Sequence, residues 1–344
     1  MLVSVTGGTG FVGAHSVAAI VRAGHRVRLL VRDESTVDKA LAPLDVATGS
    51  IETVVGDVLD EASVRQVLRG ADAALHAASV YSFDSRQRAA MRRTNEAGTD
   101  LVLGAARRAG TGRIVHVSSV GALFPARVIN ADSPVGRPRE AYLASKAAAE
   151  EVARRHQADG APVVITYPPA LLGPHDPKLG DQAARLRNTL RGLMPIWPLG
   201  GFPLGDVRDT AVLHATLLTG PEIGPNRHFG PGRYLSTRDY LRALRAVTGR
   251  ALPAMYLPAR SLYPVGWLAD LLQRVWPWRI PAEYGAIYTC ACASTVEEGA
   301  STNGIEPRPV ADTFADTVRW LTDSGQISAR AAGAAARPAA VVRS

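Results

Sequence analysis

The sequence predicts an α/β fold: a doubly wound parallel sheet followed by a smaller, mostly helical lobe. Three observations carry this. Short apolar, β-branched runs at 2–6, 26–31, 51–55, 73–77, 114–118 and 163–167 alternate with helical patterns at 12–23, 61–69, 86–109 and 142–157. That rhythm means βαβ units and a parallel sheet. Gly24, Gly70, Gly110 and Gly160 each follow a helical pattern, where a left-handed residue ends a helix. Finally, a glycine-rich turn, TGGTGFVG at 6–13, joins the first strand to the first helix.

After Tyr167 the texture changes. Pro168, Pro169, Pro174, Pro177, Pro195, Pro198 and Pro203 interrupt the chain, and helical patterns return at 181–191, 209–219, 237–247, 262–275 and 310–321. The expected division is therefore 1–167 for the sheet domain, 168–325 for the lobe and 326–344 for a tail. Residues 226–230 are a candidate strand that rejoins the sheet. The tail is Ala/Arg low complexity and is expected to be mobile. The stretch 262–278 is amphipathic and tryptophan-rich, and is expected to be a core-facing helix.

Composition excludes several classes. With 344 residues, 47% hydrophobic and 20% charged, the chain is neither disordered nor fibrous. No run of about 18 uncharged apolar residues marks a membrane span. A strand beginning at Leu2 leaves no room for a signal peptide, so a cytoplasmic protein is expected. The net charge is +8, but the basic residues are scattered and only Lys39, Lys146 and Lys178 are lysines, which argues for a solvated basic surface over nucleic-acid binding. Cys290 and Cys292 are too close for an unstrained disulfide and have no His nearby, so they are expected to be reduced thiols. The eight histidines form no ligand-spaced pairs with carboxylates, so no metal site is expected. The G-x-S-x-G elbow of a serine hydrolase is absent.

The chemistry sits at the strand ends. Gly7, Gly10 and Gly13 allow a tight turn, close approach to a pyrophosphate and close helix–strand packing. The turn follows a strand and opens a helix, the context a dinucleotide site requires. Thr6, Phe11 and Val12 belong to the same loop. At the end of the second strand stands Arg32, where an acid would repel a 2′-phosphate. An arginine there forms a charge-assisted fork with that phosphate, so NADP(H) is preferred over NAD(H) despite Asp33. Asp57 and Val58 follow the third strand. Asp57 is placed either to accept from the adenine amino group or to cap the next helix. His76, Ala77 and Ala78 end the fourth strand, small residues against which a cofactor can lie. Tyr142 and Lys146, at i and i+4, share one helix face. The ammonium, together with an oxidised nicotinamide, is expected to lower the phenol pKa. Ser119, at the end of a central strand, can hold a substrate oxygen beside that phenol.

These residues resemble the extended short-chain dehydrogenase/reductase family. The motifs are TGGTGFVG (6–13), GDV (56–58), HAAS (76–79), TNEAGT (94–99), VSSVGAL (117–123), YLASK (142–146), YPPALLGP (167–174) and DVRD (206–209). The resemblance implies a catalytic centre of Ser119, Tyr142 and Lys146 supported by Asn95, with Lys146 on the nicotinamide ribose and Pro168 at the nicotinamide end. It also implies a homodimer. VRLLVRDES (27–35) looks most like the dihydroflavonol 4-reductase-like branch, in which the matching arginine marks NADPH use. Tyr167, where many sugar-nucleotide members carry arginine, is a departure. Tyr81, Phe83, Ser119 and Tyr167 are candidate substrate-pocket residues.

The leading expectation is reduction of a ketone or aldehyde by NADPH with Tyr142 as proton donor. A nucleotide-sugar epimerase or dehydratase on bound NAD, and an alcohol dehydrogenase of hydroxysteroid type, use the same residues. A cofactor-sensing regulator is disfavoured because Tyr142 and Lys146 are both present.

Overall fold

The computed structural model describes residues 1–81, 85–220, 226–272, 284–300 and 302–336. The central sheet comprises β1 (Leu2–Thr6), β2 (Arg26–Val31), β3 (Glu52–Val55), β4 (Ala73–His76), β5 (Arg113–Val117), β6 (Val163–Tyr167) and β7 (Arg227–Phe229). Its seven strands run in the order β7-β6-β5-β4-β1-β2-β3, and every pairing is parallel. The order reverses between β1 and β4, which opens a crevice at their carboxyl ends. This is a Rossmann-like sheet.

The helices of the sheet region are α1 (Phe11–Arg22), α2 (Ser35–Leu41), α3 (Glu61–Leu68), α4 (Arg88–Arg92), α5 (Gly98–Arg108), α6 (Ala141–Ala158), α7 (Asp181–Leu190) and α8 (Val207–Thr219). On one face, Val17 and Ile20 of α1 pack with Leu213 and Leu217 of α8 over Val3, Val5 and Val115. On the other, Val64, Val102 and Ala153 from α3, α5 and α6 cover Ile114 and Ile165. The pattern at 209–219, which the sequence assigns to the lobe, therefore belongs to the sheet. Its leucines pack on the apolar stripe of α1, within one core cluster that Val37 and Leu41 of α2 also join.

Asp206, at the start of α8, caps it by accepting from Arg208 N at 2.8 Å. Arg208 forks back onto both Asp206 oxygens at 2.9 and 2.7 Å and reaches Asp316 at 2.7 Å. Arg308 donates to Asp209 through its backbone N and its Nε, both at 2.8 Å. The DVRD motif is thus a charged joint between sheet and lobe.

The lobe contains α9 (Thr237–Thr248), α10 (Tyr263–Leu272), α11 (Tyr284–Cys292), α12 (Val310–Asp323) and α13 (Ala329–Ala332), with short strands between them. Trp197, Phe202, Tyr240, Leu244, Phe314 and Leu321 form its core. Of the 262–278 pattern, Tyr263–Leu272 is α-helical and 273–278 lie outside the described residues; Trp267, Leu268, Leu271 and Leu272 are exposed, so the expectation of a core-facing helix is corrected. The tail departs from expectation. Ile327, Ala331, Ala332 and Ala335 are buried in the lobe core, and Ser328 accepts from Ala331 N to cap α13. Alanines at helical spacing make an apolar stripe that low complexity conceals; 337–344 lie outside the described residues.

Ending the chain at Gln326 should therefore lower unfolding stability by about 2 kcal/mol or more, through lost apolar burial. Urea titration checks this, and an unchanged midpoint would show that the segment contributes nothing to the core.

Candidate active site

The glycine turn is packed backbone against backbone. Gly7 takes φ +77°, and a Cβ on it would lie 2.5 Å from Ala78 N and 2.6 Å from Ala77 C. A Cβ on Gly13 would meet Gly7 O at 2.1 Å. No L side chain fits at either position. Gly10 N donates to Gly7 O at 3.0 Å, and α1 then opens at Gly10 with no side-chain cap, so Phe11 and Val12 begin a helix whose first turn suits an anion. Thr6 and His76 are buried. His76 Nδ1 bonds Thr6 Oγ1 at 2.8 Å and Nε2 bonds Thr99 at 3.1 Å. Burial holds this imidazole down to about 3, and hence neutral. These bonds pin β1, β4 and α5 together beneath the strand ends. Ala77 and Ala78 remain half-buried at the crevice wall.

At the end of β2, Arg32 is exposed and takes part in no ion pair among the described residues. Asp33 beside it accepts from Ser35 N at 2.9 Å at the start of α2. Asp57 accepts from Leu59 N at 2.9 Å to close the turn after β3. Of the two roles open to Asp57, capping α3 falls to Asp60 instead, which accepts from Ala62 N and Ser63 N. Val58 is half-buried and packs against α5, 3.1 Å from where a Gly98 Cβ would stand.

Around the strand ends beyond β4 the structure gathers Ser119, Tyr142, Lys146 and Asn95. Ser119 follows β5, accepts from Gly121 N at 3.1 Å and is hydrogen-bonded to the Tyr142 phenol. Lys146 is buried and donates from Nζ to Val117 O at 2.9 Å. Asn95 sits in a π-helical turn, Arg93–Ala97, inside the helical run expected at 86–109. Its Nδ2 donates to Ser145 Oγ at 2.9 Å and Val80 O at 3.0 Å, while its Oδ1 accepts from Val80 N at 2.8 Å. Asn95 thereby ties the segment after β4 to α6. Tyr81, 40% exposed, meets Tyr142 edge-on with ring centroids 4.5 Å apart. Pro168 is buried and its carbonyl accepts from Val120 N at 3.1 Å.

Burial raises the Tyr142 phenol above its ordinary range; Glu140 and Asp181 add to this, and the Ser119 hydrogen bond opposes it. Burial lowers Lys146 to about 8, with Glu150 opposing. Desolvation is the largest of these causes, and it favours the neutral phenol.

Tyr167 is corrected to a core residue. It is fully buried, its hydroxyl donates to Glu150 at 2.7 Å and accepts from Arg154 at 3.1 Å, and its ring packs on Phe229. Phe83 lies outside the described residues. Glu140 and Ser145 escaped the sequence reading. Glu140 caps α6, accepting from Tyr142 N at 3.0 Å and Leu143 N at 2.8 Å. Ser145 donates to Tyr142 O at 2.7 Å. Glutamate is not among the favoured caps, so its position two residues before Tyr142 gave no signal.

A glycine turn packed on backbone, a helix start with no side-chain cap and an exposed arginine at the end of β2 with no ion pair among the described residues fit a dinucleotide. The profile of the NAD dependent epimerase/dehydratase family matches residues 3–230. The chain belongs to that family. Sterol demethylase protein B of Methylococcus capsulatus is 29% identical over 335 residues, covering 95% of this chain and all of that protein. A Synechocystis protein provisionally named dihydroflavonol 4-reductase is 30% identical over 336 residues, covering 94% and 95% of the two chains. The extended short-chain dehydrogenase/reductase resemblance therefore holds, with a dihydroflavonol reductase-like relative. Among solved structures, gox2253 superposes with TM-score 0.77 at 28% identity, covering 95% of this chain and 99% of that one. The dTDP-glucose 4,6-dehydratase DesIV of Streptomyces venezuelae, with NAD and TYD bound, gives 0.71 at 25% identity, covering 94% and 97%. Within the epimerase/dehydratase family the chain is an NAD(P)-dependent oxidoreductase or epimerase. No helix among the described residues is long and apolar enough to cross a membrane, and no cluster of His, Cys, Asp or Glu among them is built to hold a metal.

Gly13→Ala should weaken nicotinamide dinucleotide binding by about tenfold or more, because the added methyl forces the turn apart. Fluorescence titration measures it; unaltered affinity would mean the turn relaxes without cost.

Proposed function

We propose that the protein is an NADPH-dependent reductase of a hydrophobic ketone or aldehyde. The observation that carries this reading is the gathering of Ser119, Tyr142, Lys146 and Asn95 at the ends of the central strands, with Tyr142 and Lys146 one turn apart on α6 and Lys146 Nζ held on Val117 O at 2.9 Å. A phenol held neutral is suited to giving up a proton, which is what a carbonyl oxygen needs as it becomes an alcohol. Ser119 would hold that oxygen against the phenol. Lys146, one turn along α6, would supply positive charge to the phenolate left behind and a grip on the nicotinamide ribose. Asn95, through Ser145 and Val80, would keep α6 in register with the segment after β4. When bound, NADPH supplies the hydride for the carbonyl carbon.

Arg32 supports the NADPH preference, because it is exposed and unpaired while Asp33 is committed to the start of α2. The relatives named for sterol and dihydroflavonol chemistry support a ring-bearing, weakly polar substrate. Tyr81, edge-on to Tyr142 and partly exposed, would line its path. The reading retains a cytoplasmic protein acting on a small molecule, without nucleic acid, and a homodimer by resemblance. A second reading, epimerase or dehydratase on tightly held NAD, is favoured by the likeness to the NAD-bound DesIV.

Titration of cofactor-stripped protein with NADPH and NADH separates the two readings. Preference for NADPH is expected; NAD that resists stripping would overturn the reductase. Arg32→Asp should move that preference towards NADH by about tenfold, and an unchanged ratio removes Arg32 from the phosphate site. Tyr142→Phe should bind NADPH normally yet lose turnover by about a hundredfold or more, as read by steady-state NADPH oxidation with an apolar ketone.

A further inference from the structure

We propose that Glu140 is a positioning residue for Tyr142: its buried carboxylate fixes the first turn of α6 and sets a negative charge within electrostatic reach of the phenol. This rests on the reading of Tyr142 as proton donor. The geometry is unusual for a cap. A short serine, threonine, aspartate or asparagine satisfies a helix start at the surface. Here a longer carboxylate, only 5% exposed, bridges two successive amides, one oxygen on Tyr142 N at 3.0 Å and the other on Leu143 N at 2.8 Å. Burying a carboxylate is costly, and a cap alone does not require it. One Glu140 bond to Tyr142 N and the other to the next amide, together with the Ser145 bond to Tyr142 O, leave little freedom in where Tyr142 starts.

The surroundings keep the charge close to the phenol. Asp181 of α7 faces the phenol as well, with Ser119 after β5, Tyr81 after β4 and Lys146 further along α6. Facing Glu140 itself are Arg88 of α4 and Cys292 of α11. Burial is the main force that keeps the phenol neutral, and the two carboxylates add to it by disfavouring the phenolate, the form a reduction does not consume. Removing the Glu140 charge makes the phenolate easier to form. Since reduction needs the phenol, the alkaline limb of the kcat profile should then fall at lower pH.

The test is the pH profile of kcat for carbonyl reduction by the full-length enzyme with saturating NADPH, in E140Q, E140N and E140D. The neutral variants should move the alkaline limb down by about one pH unit, whereas E140D, which keeps the charge, should stay with the native enzyme. NADPH affinity should not change in any of them. Asparagine is a favoured cap, so E140N carries the test if E140Q does not fold. Neutral variants whose limb coincides with the native one would overturn the proposal, as would an E140D limb displaced as far as theirs. Tyr142→Phe separates the two levels. If it retains turnover, the proton-donor reading and this inference fall together; if it is inactive and the Glu140 variants leave the limb in place, only the role of Glu140 fails.

Discussion

The space between Gly7 and Ala78 admits no side chain, and the placement of everything else at the strand ends follows from that. The turn after β1 rests directly on the backbone after β4, and Gly13 lets the first turn of α1 rest on Gly7. Backbone contact at this point brings a helix start, with its open amides, to the place where the strand order reverses. The neutral His76, bonded to Thr6 and Thr99, fastens the same junction from below. Sheet order and glycine together thus make a crevice whose walls are main chain.

Around Tyr142 the governing quantity is desolvation. The Lys146 ammonium, the Tyr142 phenol and the Glu140 carboxyl share a poorly hydrated region, and each of these three resists its charged form. Lys146 falls towards neutrality, the phenol rises, and the Glu140 carboxyl is itself raised by burial despite its backbone bonds. A cationic ring entering such a region meets carboxylates that little water screens.

Much of this was legible in the sequence because its signals are local. The strand–helix rhythm, the glycine turn and the i, i+4 pair of Tyr142 and Lys146 depend on residues close along the chain, and the structure places them as the spacing requires. What escaped depends on distant partners. Tyr167 carries a polar tip and sits at a strand end, but whether it lines a pocket or a core is decided by Glu150 and Arg154. Asn95 lies inside a helical pattern whose π turn periodicity does not reveal. The tail alanines look like filler until Tyr240 and Phe314 are seen to need covering. Helix α8 shows the same limit: its leucines say that it is buried, and only the bare face of α1 says where.

The sheet is closed by residues that arrive late in synthesis. Helix α8 ends at Thr219 and strand β7 spans Arg227–Phe229, so the first 167 residues alone leave one face of α1 and one sheet edge bare. A nascent chain therefore holds Val17, Ile20 and their neighbours uncovered on the ribosome until well over half of the polypeptide has emerged. At the translation rates of about 5–20 residues per second, that is a wait of seconds to tens of seconds with an adhesive surface exposed.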